Sequence, residues 1–173
     1  MIGVNPVAQD SSLYGINILV IEDHRPSRDL LKSVLTAFGA TDVRTCADGS
    51  EGLRAIREHR PDLILADWSM EPMDGKTFLK ELRKAENYPA SIIPVIVVTA
   101  FGLPETVRAA LDAGANQFVV KPIVPLRLRE RIIKTLADAP QFELAAGGYE
   151  PSGRKEGRPL RARDEGEEVW DIG

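Results

Sequence analysis

Several things are scarce in this chain, and each scarcity excludes something. There is one cysteine, Cys46, so no internal disulfide can form, which fits a reducing compartment such as the cytoplasm. No apolar run approaches the roughly 20 residues that a membrane-crossing helix needs. Met1 to Tyr14 has neither a basic start nor an apolar stretch, so it does not read as a secretory leader. Charge of one sign is scarce too: the formal net charge is -4, too near neutral to argue for nucleic acid or an anionic membrane as a direct partner. Histidine is limited to His24 and His59, far apart in the chain, which gives no basis for a histidine-ligated metal.

What is present points to one packed domain with attachments. The 173 residues are 43% hydrophobic, enough for a substantial core. Residues 16–138 hold 17 acidic and 17 basic side chains, so the acidic surplus lies in Asp10 and in the segment from 139 onward, with 8 acidic and 5 basic residues.

Short apolar runs alternate with amphipathic stretches, the pattern of a parallel sheet covered by helices on both faces. Strands are expected at 16–21, 42–46, 62–66, 94–98 and 117–120, and helices at 26–38, 50–58, 77–85, 104–113 and 125–136. Pro26 suits a first helical turn, Leu30, Leu31, Val34, Leu35 and Phe38 recur at helical spacing, and Gly39 and Gly114 mark stops. Five βα units with right-handed crossovers make a doubly wound α/β sheet. Residues 1–15 read as a flexible lead. From Ala139 the composition shifts to Gly, Pro and charge, with Arg154 to Arg163 basic, Asp164 to Asp171 acidic, and an end of Val169-Trp170-Asp171-Ile172. Residues 139–173 read as a low-complexity tail that is either disordered or a docking segment.

The apolar runs end in polar residues: Glu22-Asp23 after the first, Asp67 after the third, Thr99 after the fourth and Lys121 after the fifth. Parallel strands set their C-terminal ends along one edge, where open α/β sheets bind ligands, so these five side chains should converge. Carboxylates there suit a hard divalent cation such as Mg²⁺. Asp67 is placed to accept a phosphoryl group as an aspartyl phosphate, with Thr99 bonding one phosphoryl oxygen and Lys121 pairing with another as a point charge. The Lys121–Pro122 bond is a candidate cis peptide.

Glu22-Asp23, the segment from Asp67 through Met70-Glu71-Pro72-Met73-Asp74-Gly75, Thr99-Ala100 and Lys121-Pro122 resemble the signature of response-regulator receiver domains, the phospho-acceptor domains of two-component signalling. The resemblance covers about 16–138. It implies a flavodoxin-like sheet with strand order 2-1-3-4-5, and Asp67 as phospho-acceptor. It also implies Asp23, Asp67 and the Ser69 carbonyl as Mg²⁺ ligands, Glu22 acting through a metal-bound water, Thr99 and Lys121 binding the phosphoryl group, and Phe118 switching with Thr99. Ser69 and Phe101 fall where such domains tune phosphate lifetime. One departure is the loop: the proline of the usual Met-Pro-x-Met-Asp-Gly stands one place later here, at Pro72, which bears on partner choice rather than chemistry.

The function implied is a phosphorelay switch rather than an enzyme on other substrates. A sensor histidine kinase or phosphotransfer protein would donate the phosphoryl group, and the 104–136 face would meet a downstream protein. A homodimer is compatible with the sequence. Only 35 residues follow Asp138, too few and too rich in Gly and Pro for an ordinary DNA-binding domain, so a stand-alone receiver is the expectation. The alternative is a phosphatase of haloacid-dehalogenase type, but that would place an Asp-x-Asp nucleophile after the first strand, where this chain has Glu22-Asp23-His24. A flavodoxin-like nucleotide binder would need a Gly- or Ser/Thr-rich loop at the same place.

Overall fold

The computed structural model describes residues 12–138 and 142–152. In chain order the elements are β1 (Asn17–Ile21), α1 (Arg25–Ala37), β2 (Asp42–Cys46), α2 (Gly49–Glu58), β3 (Leu63–Asp67), α3 (Gly75–Leu82), two short 3-10 turns (Ala85–Asn87 and Ala90–Ile92), β4 (Val95–Thr99), α4 (Pro104–Asp112), β5 (Gln117–Val120), α5 (Pro125–Ala137), β6 (Phe142–Ala145) and β7 (Gly148–Pro151). The first five strands form one parallel sheet in the order β2-β1-β3-β4-β5. The doubly wound architecture and the strand order are those the sequence pattern and its resemblance imply.

Alternation along the strands divides the core in two. Leu19, Ile21, Ile64, Ala66, Val95 and Val97 face α2, α3 and α4, and meet Ile56, Phe78, Leu79 and Val107. Ile18, Val20, Leu63, Leu65, Ile96 and Val98 face the other way, onto Leu31 and Leu35 of α1 and Leu128 and Ile132 of α5. Because β1, β3 and β4 are covered on both faces, they read as unbroken apolar runs rather than alternating ones.

Side chains set the starts of α2 and α3, whereas α1, α4 and α5 open on a proline in the first turn with no side-chain cap. Asp48 caps α2, accepting from the amides of Ser50 and Glu51, and Asp74 caps α3, accepting from Thr77. These caps start α2 and α3 one and two residues before the expected positions. Gly75 must be glycine, since a Cβ there would collide with the Asp67 carbonyl. The α3 start is thereby packed directly onto the strand that ends in Asp67.

Two segments outside the five βα units pack onto the domain. The lead is not wholly apart from the domain: Leu13 is 0% exposed within the α1/α5 core, and its amide donates to the Phe38 carbonyl. One apolar residue in a polar stretch gives no periodic signal, which is why the sequence pattern does not reveal it. Residues 1–11 lie outside the described residues. In the segment from Ala139, read from the sequence as disordered or a docking segment, β6 and β7 form an antiparallel hairpin in which Phe142 pairs with Pro151 and Ala145 with Gly148. The hairpin docks on Arg83, the residue that closes α3: the Tyr149 amide donates to the Arg83 carbonyl at 2.6 Å, and the Arg83 guanidinium lies 4.7 Å from the centre of the Phe142 ring. Tyr149 also packs on Tyr88, ring centroids 5.7 Å apart. These contacts with Arg83 and Tyr88, distant in sequence, offset the ordering entropy that composition alone makes costly. The basic and acidic runs from 154 onward, and Val169-Trp170-Asp171-Ile172, lie outside the described residues.

Arg83 itself is 3% exposed. Its Nε and Nη2 donate to the Gly114 carbonyl at 3.0 and 2.9 Å, its Nη1 to the carbonyls of Ser91 and Ile93 at 2.7 and 2.8 Å, and its Nη2 to Asn116 Oδ1 at 3.2 Å. All five guanidinium hydrogens thus have oxygen acceptors. They join the end of α3, the approach to β4 and the α4–β5 connection, at the edge opposite the strand-end acids.

Candidate functional site: an acidic mouth closed by a lysine

The register of the sheet assembles the site. Ile21 pairs with Ala66, Asp67 with Val98 and Thr99 with Val120. Glu22, Asp67, Thr99 and Lys121 therefore leave four neighbouring strands at nearly the same height, and Asp23 follows one residue beyond. Glu22, Asp23 and Asp67 each offer a carboxylate oxygen, all within 4.8 Å of one another.

Lys121 reaches across from β5. Its ammonium donates to Glu22 Oε2 at 2.7 Å and to Asp67 Oδ2 at 3.2 Å. Glu22 is 1% exposed and Asp67 7%, so these are ion pairs at the bottom of a recess, while Asp23 stands at the rim in solvent. Burial pushes the Glu22 carboxyl above its ordinary range; the Lys121 hydrogen bond draws it back, and the Asp67 charge raises it further. Burial draws Lys121 down, but the Glu22 hydrogen bond and the charges of Asp67 and Glu22 together hold it above its ordinary value. The lysine is therefore a fixed cation at neutral pH.

The remaining expected residues fall as follows. Thr99 is buried, and its Oγ1 accepts from the Phe101 amide at 3.1 Å, a local bond at the strand end. Ser69 is exposed, and its amide lies 3.4 Å from Asp67 Oδ1. Phe118 is buried in the core beneath α4. Phe101 is 56% exposed. The Lys121–Pro122 peptide is cis, as expected, and so are Glu71–Pro72 and Tyr88–Pro89. His24 is exposed, with Nδ1 2.8 Å from Ser27 Oγ. Cys46 is a buried core residue.

Sequence reasoning did not pick out Arg28. Its Nη1 donates to the carbonyls of Glu22 at 2.5 Å and Asp23 at 3.2 Å. A signal was available: the first turn of α1 carries Arg25 and Arg28 and no acid, against the helix dipole, so a cation there calls for a nearby oxygen partner.

Three carboxylates with one ammonium suit a hard divalent cation and an anionic phosphoryl group, and the donor set is all oxygen, as Mg²⁺ prefers. The candidate acceptor, Asp67, ends β3 rather than β1, which gives the dehalogenase-type alternative no support.

Comparison with known proteins agrees with this geometry. The chain is 34% identical over 119 residues to the chemotaxis protein CheY of Bacillus subtilis, covering 69% of this chain and 96% of CheY. It is 40% identical over 122 residues to the transcriptional regulatory protein ZraR of Salmonella typhimurium, covering 70% of this chain but only 26% of ZraR. Among solved structures it is similar to the receiver domain of NtrX from Brucella abortus, with TM-score 0.63, 30% identity, and coverage of 70% of this chain and 98% of that one. It is also similar to the receiver domain of sensor histidine kinase PA1611 from Pseudomonas aeruginosa, which has a magnesium ion coordinated in its active site cleft. There the TM-score is 0.64 at 28% identity, with 71% of this chain and 98% of that one covered. The profile of the response regulator receiver domain matches residues 18–133, and the chain belongs to that family.

Proposed function

We propose that Asp67 is the phospho-acceptor of this receiver, charged by a sensor histidine kinase or a phosphotransfer protein, and that the chain signals by contact with a downstream protein. The observation that carries the reading is the Lys121 ammonium bridging Asp67 and Glu22 in a recess that also gathers the Asp23 carboxylate. In the transfer, an Asp67 carboxylate oxygen attacks phosphorus, a P–O bond forms, and the bond from phosphorus to the donor's leaving atom breaks. Lys121 holds one phosphoryl oxygen, and the Thr99 hydroxyl exchanges its local bond with the Phe101 amide for another. Asp23, Asp67 and the Ser69 carbonyl would hold Mg²⁺, whose contribution is to neutralise charge on the transferred oxygens. Such domains are signalling modules, and the only turnover proposed here is that of the receiver's own phosphate.

The output face proposed is the α4–β5–α5 region, residues 104–136, with Phe118 beneath it. Among the described residues no helix is long and apolar enough to cross a membrane. We place the protein in the cytoplasm, where kinase and receiver meet.

The test is chemical. Incubated with Mg²⁺ and a small acyl phosphate, the protein should gain the mass of one phosphoryl group, and Asp67→Asn should gain none while keeping its fold. Absence of labelling in the wild type, or equal labelling of Asp67→Asn, would overturn the reading. Pull-downs with and without beryllofluoride then identify the partner that binds only the charged state.

A further inference from the structure

Glu22 and Asp23 are held in very different ways. The Glu22 carboxylate is fixed by Lys121 at one oxygen and by the His24 amide, 3.3 Å from the other. The Asp23 carboxylate is exposed and receives no hydrogen bond or ion pair among the described residues. Its direction is therefore set by its backbone alone. That backbone is held on its carbonyl side by Arg28 Nη1, which binds the carbonyls of Glu22 and Asp23 together. One nitrogen on two successive carbonyls fixes the intervening peptide. It also turns both carbonyl oxygens toward α1, leaving the side-chain carboxylates to serve the mouth.

We propose that Arg28 is a positioning residue for the divalent cation: it fixes the Glu22–Asp23 backbone so that the otherwise unsupported Asp23 carboxylate is aimed at Asp67. This rests on the receiver reading above. Geometry and charge make opposite demands here, which makes the idea testable. As a mere neighbouring charge, the guanidinium would repel a divalent cation, and its removal would tighten binding. As an anchor, its removal weakens binding, as loss of a residue that orients a metal ligand generally does.

The experiment titrates MgCl₂ into the full chain and follows Trp68, half-buried beside Asp67, with Trp170→Phe as the common background. Arg28→Met should bind Mg²⁺ roughly tenfold more weakly than the background protein. Arg28→Lys should recover most of that loss, because an ammonium can still donate to two carbonyls. The thermal midpoint without Mg²⁺ should stay nearly constant across the three proteins, which a purely structural role would not allow. If Arg28→Met does not fold, Arg28→Gln is read in its place, with the same loss expected. Affinity equal to or tighter than the background in the folded variant overturns the proposal and leaves the receiver reading intact. No Mg²⁺ response in the background protein, by fluorescence and by calorimetry, brings down the metal reading and this inference with it.

Discussion

The two edges of the sheet each bury a cation, and they do so in opposite ways. At the C-terminal edge the Lys121 ammonium sits among carboxylates, half-buried, with Asp23 open to solvent beside it. At the N-terminal edge the Arg83 guanidinium is enclosed, its five hydrogens on carbonyl oxygens and one amide oxygen, with the Phe142 ring against it. A charge held by other charges in a partly wet recess can change partners when an ion or a phosphoryl group arrives. A charge held by fixed backbone dipoles has nowhere to go, so it serves as a joint. Lysine suits the first task as a compact, movable donor, and arginine the second as a planar fork. The same fold thus carries a reactive edge and a structural one.

This contrast can be broken most sharply at the joint. Arg83→Met takes this donor from the carbonyls of Ser91, Ile93 and Gly114 and from the Asn116 oxygen, and should cost roughly 3 kcal/mol of stability in urea unfolding. Mg²⁺ binding at the opposite edge should persist below the transition; its loss in the folded variant would show that the edges are not separable. Gly148→Ala tests the hairpin alone. Gly148 has φ +126°, and a Cβ would meet the Arg83 carbonyl, so the substitution should cost about 2 kcal/mol and speed exchange of the Tyr149 amide. Unchanged exchange would mean that the hairpin docks without that contact.

At the reactive edge, Lys121→Met removes the cation shared by Glu22 and Asp67. Mg²⁺ should then bind about tenfold more tightly, near 1.4 kcal/mol, because three carboxylates no longer share an ammonium, while labelling of Asp67 should slow. Tighter binding with unslowed labelling would remove Lys121 from the chemistry. The smallest effect is expected at the cap of α3. The Asp74 carboxyl is held below its ordinary range by the Thr77 amide and hydroxyl, so its contribution is present above the usual carboxylate range and lost as pH falls through the lowered value. Asp74→Ala should cost about 1 kcal/mol at neutral pH and little in strong acid. A pH-independent loss would contradict the cap.

How far the sequence is legible depends on the range of each interaction. The five strands, five helices and convergent strand-end residues follow from periodicity and from acids placed where apolar runs stop, which are local patterns. Leu13 and the hairpin do not, because what stabilises them is elsewhere: the α1/α5 core for Leu13, and Arg83 for Phe142 and Tyr149. Arg28 falls between. Its place in a first helical turn is a local anomaly that asks for a partner, but only the folded β1–α1 junction says which.

By itself the sequence determined the alternating architecture and which polar residues would gather at one edge, because strand polarity and side-chain period are properties of short stretches. The tertiary structure decided the rest: that Lys121 bridges Glu22 and Asp67, that Arg28 grips the peptide behind Asp23, and that a Gly- and Pro-rich segment folds back as a hairpin. Each of these joins groups that only the packed sheet brings within hydrogen-bonding distance, and no local propensity encodes that distance.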